Sequence, residues 1–155
     1  MCVMSTQTVW YRFDETSGTT AADASGNGRG ATLVNGPTWV AGRVGNAIDL
    51  DGSNDYLSVP ASVISGLNDF TIATWVRLDT TGSWRRLFDF GTGTTVNMFL
   101  VPTSGSTIRF AITTSGSGGE QRIDGTAALP TGVWKHVAVT LSGNTGTLYV
   151  DGAQV

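Results

Sequence analysis

Trp134-Lys135-His136-Val137-Ala138-Val139-Thr140-Leu141 is followed, after Ser142-Gly143-Asn144-Thr145-Gly146, by Thr147-Leu148-Tyr149-Val150-Asp151-Gly152. Both runs are rich in aromatic and β-branched side chains, which fit a pleated, half-buried surface. A Gly- and Asn-bearing turn separates them, so the pair reads as an antiparallel hairpin. The second run closes on Asp-Gly, itself a strong turn signal.

Upstream, Phe70-Thr71-Ile72-Ala73-Thr74-Trp75-Val76-Arg77-Leu78 alternates most cleanly: Phe70, Ile72, Val76 and Leu78 share one face, and Thr71, Ala73, Trp75 and Arg77 the other. A slip of one residue would expose the apolar set, so the register is tightly specified. Further strands are predicted at 86–90, 97–101 and 107–112, and nearer the N-terminus at 8–13, 31–34, 47–50 and 56–59. Residues 18–30 read as a long polar loop, Asn35-Gly36-Pro37 as a turn, and 51–55 as a hairpin tip. Nowhere do apolar residues hold a helical period over three turns. Short strands between regularly spaced turns predict an all-β chain, an antiparallel two-sheet β-sandwich or jelly roll.

Composition agrees. The 155 residues suit one domain, and 21 Gly and 23 Thr against four Pro favour turns and strands. Residues 1–7 read as a tail or expression remnant and 8–155 as a single domain. The Gly- and Ser-rich stretch 113–120 reads as a long mobile loop within that domain, because strand-like sequence continues beyond it. Net charge is −3, and the eight Arg and one Lys are scattered, Arg85-Arg86 being the one adjacent pair, without the basic stripe of a nucleic-acid binder. No segment approaches the length of a membrane span. Cys2 is the single cysteine, read as a bystander, so no internal disulfide is available.

The order and spacing of several motifs carry a resemblance: Trp10-Tyr11-Arg12-Phe13-Asp14-Glu15, Asp23-Ala24-Ser25-Gly26-Asn27-Gly28, Leu50-Asp51-Gly52-Ser53-Asn54-Asp55-Tyr56-Leu57, Phe70 to Val76, and the hairpin at 134–152. Together they resemble the laminin-G-like jelly-roll family of the concanavalin A-like lectin and glucanase superfamily. The resemblance implies a secreted protein. It also implies further strands beyond the position of Val155, the last returning beside the first strand. The sandwich is therefore expected to be incomplete at its C-terminus. Three resolutions are open: a second polypeptide completing it, strand exchange in a homo-oligomer, or rearrangement of the N-terminal region.

Glycoside hydrolysis needs two carboxylates facing each other across the bond. The chain holds only Glu15 and Glu120, far apart in sequence, and no Asp pair in a recognisable motif, so no catalytic residue is assigned and the chain is read as not an enzyme. His136, the only histidine, has no motif placing a nucleophile and an orienting carboxylate beside it. It reads as a partly buried residue hydrogen-bonded across the sandwich.

Calcium is the cofactor the sequence points to, since it takes oxygen ligands from carboxylates, amides and carbonyls. Asp23 with Ser25 and Asn27 resembles a metal loop of related domains and reads equally as a plain turn. Asp51, Ser53 and Asp55 read as a turn whose side chains cap backbone amides. For sugar binding, aromatic faces stack on pyranose rings. Trp10, Trp75 and Trp134 are expected in the core, and Trp39 over a sheet edge. Trp84, between Gly82-Ser83 and Arg85-Arg86, is the expected exposed ligand-binding residue, with Arg85 beside it. The expected function is a non-catalytic carbohydrate-binding accessory module whose partner is a polysaccharide or glycan. The alternatives are a structural or adhesive protein-interaction module and a glycoside hydrolase fragment.

Overall fold

The structure, a computed structural model, describes residues 6–155, and its regular elements are β-strands apart from two short 3-10 turns. Cys2 and the first part of the expected tail lie outside the described residues. The chain divides into two compact units, up to Leu67 and from Asn68 to Val155.

The first unit holds β1 (Thr20–Ala21), β2 (Ala31–Val34), β3 (Thr38–Ala41), β4 (Asn46–Asp49) and β5 (Tyr56–Ser58). β1, β2 and β5 make a three-stranded antiparallel sheet, and β3 pairs with β4. Its buried centre is small: Ala21, Ala31 and Leu33, with Tyr11, Phe13, Trp39, Ile48, Leu57 and Val59 packed around them.

Two expectations need correction here. Residues 8–13 form no strand; the segment makes one isolated bridge, Tyr11 to Asp23. Phe13 ends the extended run with φ at 59°, in the left-handed region that a bulky side chain rarely enters. Residues 51–55 are not a hairpin tip, because β4 and β5 belong to different sheets; the segment links the two.

The second unit carries β6 (Phe70–Arg77), β7 (Phe88–Thr92), β8 (Val96–Val101), β9 (Arg109–Thr113), β10 (Gln121–Asp124), β11 (Trp134–Ser142), β12 (Thr145–Val150) and β13 (Ala153–Gln154). One antiparallel sheet runs β10-β9-β8-β7, and the other β13-β12-β11-β6. Leu100, Ile108 and Phe110 from the first sheet and its approach meet Val137, Val139 and Leu148 from the second, with Leu129 among them. That is the core of a β-sandwich, and burying such side chains is worth about 1.5–3 kcal/mol each.

The alternation read in Phe70–Arg77 holds residue by residue, Phe70, Ile72, Thr74 and Val76 being half-buried and their neighbours exposed. The expected hairpin is present as β11 and β12, paired from Val137 with Val150 to Ser142 with Thr145 around Gly143-Asn144. Asp151-Gly152 then turns β12 into β13 with φ of 51° and 81°, the two positive values a type I′ hairpin requires. The stretch after β9 is the connection to its antiparallel neighbour β10. Thr113 ties it down, its hydroxyl donating to the Gly116 carbonyl at 2.7 Å and accepting from the Ser115 amide at 3.1 Å.

Candidate functional site

Sheet faces that bear apolar side chains on the side away from the core need cover. Phe99, Val101 and Ala111 on β8 and β9 form such a cluster, 2 % exposed or less. The connection from β6 to β7 supplies part of the cover. Trp84 lies there with its amide donating to the Thr103 carbonyl at 3.0 Å, and its ring stands edge-on to Phe99, centroids 6.5 Å apart. The Arg86 guanidinium lies 4.0 Å from the centroid of the same phenyl ring. Trp84 nevertheless keeps 48 % of its surface exposed. Its φ of 68° is left-handed, a conformation costing an L-residue roughly 1–2 kcal/mol and worth holding only where the surroundings fix it.

Charge is arranged around this indole. Arg109 lies 5.5 Å from the ring centroid and Arg86 6.0 Å, inside cation–π range. Arg109 is fixed by two parallel bonds to Asp124, Nε to Oδ1 at 2.6 Å and Nη2 to Oδ2 at 3.2 Å, with Glu120 at 3.9 Å. The register of β9 and β10 places Arg109 directly opposite Asp124, which accounts for the fork geometry. Arg122 joins at 3.2 Å to Asp124, and Arg86 binds Asp89 at 3.0 Å. Arg85, expected beside Trp84, lies in the same turn and donates to the Thr80 hydroxyl at 3.0 Å; among the described residues it has no carboxylate partner. The structure thus sets Arg86 and Arg109 against the indole, while Arg85 is held to the Thr80 hydroxyl by one of its N–H groups. A half-exposed indole with fixed donors and acceptors beside it can contact a C–H surface while those groups bond hydroxyls.

In the first unit, Asp23 organises the loop before β2. Its Oδ1 accepts from the Trp10 amide at 3.0 Å and the Ser25 amide at 2.9 Å, and its Oδ2 from the Arg29 amide at 3.0 Å. Desolvation acts to raise its pKa, but the hydrogen bonds from the Ser25 side chain and the three amides outweigh it and hold the carboxyl far below its ordinary value. Asn27 donates its amide to the carbonyls of Gln7 and Thr8 and to the Ser25 hydroxyl. Both side chains are therefore turned to the chain's own backbone. Among the described residues no three His, Cys, Asp or Glu side chains converge on a point.

The Asp51 turn is as expected: its Oδ1 accepts from the amides of Ser53 at 2.8 Å and Asn54 at 3.3 Å. The Ser53 bond leads in lowering its pKa. Each glutamate also has a structural partner. Glu15 accepts the Ala22 amide at 2.7 Å, and Glu120 faces Arg109. His136 is half-buried on β11, its ring 5.3 Å from that of Trp75 in an edge arrangement. Its amide and carbonyl both bond Asp151, at 3.0 Å and 2.8 Å.

Trp10 and Trp75 are not core residues; they are 46 % and 45 % exposed. Trp75 lies on the face of β6 opposite Ile72 and Val76, where the strand's own alternation puts it. Trp134 is half-buried beneath Arg77, and Trp39 sits in β3, its indole donating to the Gly18 carbonyl at 2.9 Å. Sequence reasoning missed Arg109, Asp124 and Phe99 as neighbours of Trp84. Only the pairing of β8, β9 and β10 brings them there.

A laminin-G-type family model, described as the concanavalin A-like lectin/glucanases superfamily, matches residues 51–155. The chain is 45 % identical to an S-layer domain-containing protein of Clostridium thermocellum, over 95 % of this chain and 70 % of that one, with a TM-score of 0.67. Domain 4 of AbnA, an extracellular GH43 arabinanase of Geobacillus stearothermophilus solved with arabinotriose, superposes with a TM-score of 0.77 at 22 % identity, over 95 % of this chain and 72 % of that one. The binding domain of Paraclostridial Mosquitocidal Protein 1 gives 0.65 at 16 % identity, over 93 % of this chain and 40 % of that one. The curated proteins gave no match.

Proposed function

The chain belongs to the concanavalin A-like lectin/glucanases superfamily, and from that premise we propose that it is a non-catalytic, extracellular accessory module that binds polysaccharide or glycan through the face around Trp84. The observation that carries this reading is the half-exposed indole held in a left-handed backbone and ringed by Arg86, Arg109 and the carboxylates that fix them. A sugar stacks its C–H face on the indole, and its hydroxyls meet the rim, where Arg85 has N–H donors beyond the one bonded to Thr80. Extracellular placement is supported by the S-layer and extracellular arabinanase contexts of two of the similar structures.

Affinity electrophoresis through gels containing plant and bacterial polysaccharides tests the reading. Retardation of the native chain in at least one gel, abolished by Trp84→Ala and weakened by Arg85→Ala, is the expected result. Unretarded migration in every gel would refute it. The S-layer relative favours a second reading, a structural module whose partner is protein. That reading gains if no saccharide binds and the chain instead associates with intact cell-surface protein layers.

A further inference from the structure

At one end of the sandwich in the second unit, where β9 and β10 part from the β11–β12 turn, the sheets leave a cleft of about 460 Å³. This is within the size range of small-ligand sites. Its floor is apolar, formed by Phe110, Ile112, Ile123 and Leu141. Gly146 of β12 lies beside the floor: a Cβ there would stand 3.4 Å from the Ile123 side chain and 3.8 Å from the Phe110 ring, in ordinary contact, so a longer side chain would extend into the cleft. The rim is polar. Gln121 on β10 and Asn144 in the β11–β12 turn line the opening from opposite sheets, and among the described residues neither side chain has a hydrogen-bond partner.

The chemistry of this lining selects its occupant. An acyl chain would cover the floor but make no use of the two exposed rim amides, which stay in water beside it. An ionic ligand would find no uncommitted counter-charge, since Arg122, the charged residue of the lining, is paired with Asp124. A neutral molecule with one apolar face and a rim of hydroxyls satisfies both surfaces. We propose that the cleft is a second saccharide subsite, separate from the Trp84 face, that takes a neutral sugar unit with its C–H face on Ile112, Ile123 and Leu141 and its hydroxyls on Gln121 and Asn144. The inference rests on the carbohydrate reading above, but on different residues.

The test is an NMR titration of the intact chain with arabinotriose, xylotriose and cellotriose in turn, following the side-chain amide signals of Gln121 and Asn144. Saturable shifts of both signals with at least one sugar are expected. The shifts should persist at an affinity within about twofold in Trp84→Ala, and in the double variant Gln121→Ala/Asn144→Ala, followed instead on the backbone amides of Ile112, Ile123 and Leu141, they should saturate at about tenfold higher sugar concentration, two hydrogen bonds of ordinary strength being removed. Gly146→Leu, which drives a side chain into the cleft, should abolish them, and the exposed double variant serves as the folded control. Binding lost in Trp84→Ala and unchanged in the double variant would overturn the subsite while leaving the module a sugar binder. Displacement of the sugar by decanoate, or shifts produced by decanoate alone, would also overturn it. No sugar binding by the native chain at any site would end both readings together.

Discussion

The two units are held by different physics. In the second, five buried side chains from two facing sheets, with Ile108 and Leu129 from the connections, form a continuous apolar layer. In the first, the buried centre is two alanines and a leucine, and much of the ordering falls to side chains that bond the backbone: Asp23 on three amides, Asn27 on two carbonyls, Asn46 on the carbonyls of Asp14 and Glu15, and Trp39 on Gly18. The lesson is that a sandwich core sets a rigid frame for a recognition face, whereas a loop-rich unit is ordered by polar bonds whose strength depends on ionisation. Burial is indifferent to pH, and a carboxylate pin is not.

The largest effect should come from breaking the apolar layer. Leu148→Ala, at a side chain with no exposed surface, should lower the stability of the second unit by about 2–5 kcal/mol in urea unfolding. A loss below about 1 kcal/mol would mean that the two sheets do not share a tight core. Next in size is the β12–β13 turn. Gly152→Ala forces a Cβ into a backbone with φ of 81° and should cost about 1 kcal/mol, read as a lower unfolding midpoint at an unchanged slope.

Acid sharpens the contrast. The folded-state pKa values of Asp23 and Asp51 in the first unit are lowered, as is that of Asp151 in the second, chiefly by its bond from Lys135. An unfolded aspartate titrates near 3.9. A group whose folded pKa lies below that value stabilises the fold above about pH 4, and its contribution is lost as pH falls from there. Amide exchange measured between pH 6 and 2.5 should therefore show the loop around Asp23 losing protection before β11 and β12. Asp23→Asn should remove most of that pH dependence, and simultaneous loss in both units would contradict the division drawn above. The smallest expected effect is none. Because Asp23 and Asn27 are turned to the backbone, calcium or a chelator should leave the unfolding temperature unchanged, and a rise with calcium would show a folded-state site.

Much of the second unit was legible in the sequence because its strands obey the period of two. The alternation from Phe70 to Arg77 indicated the register, and Asp151-Gly152 marked a turn, both of whose residues take the positive φ that Asp and Gly tolerate. Residues 8–13 misled because Val, Trp, Tyr and Phe in sequence are strand-like by composition. The segment is held instead by contacts to the 23–29 loop: the Asp23 carboxylate on the Trp10 amide, thirteen residues away, the Trp10 carbonyl on the Ala24 amide, and the Tyr11 hydroxyl on the Arg29 carbonyl. Trp75 misled in the opposite way: tryptophan is generally buried, but the period of two puts this one on the outer face of β6. At the candidate face, Trp84 was readable from its glycine, serine and arginine neighbours. The ring of charge around it was not, because Arg109 and Asp124 meet only through the register of β9 and β10.

The carbohydrate reading is tested most directly on the indole itself. In a titration of the native chain with the polysaccharide fragment that binds best, the indole N–H signal of Trp84 should shift saturably, while that of Trp134, half-buried beneath Arg77, stays in place. Sugar binding that leaves the Trp84 signal unmoved would contradict the assignment of this face.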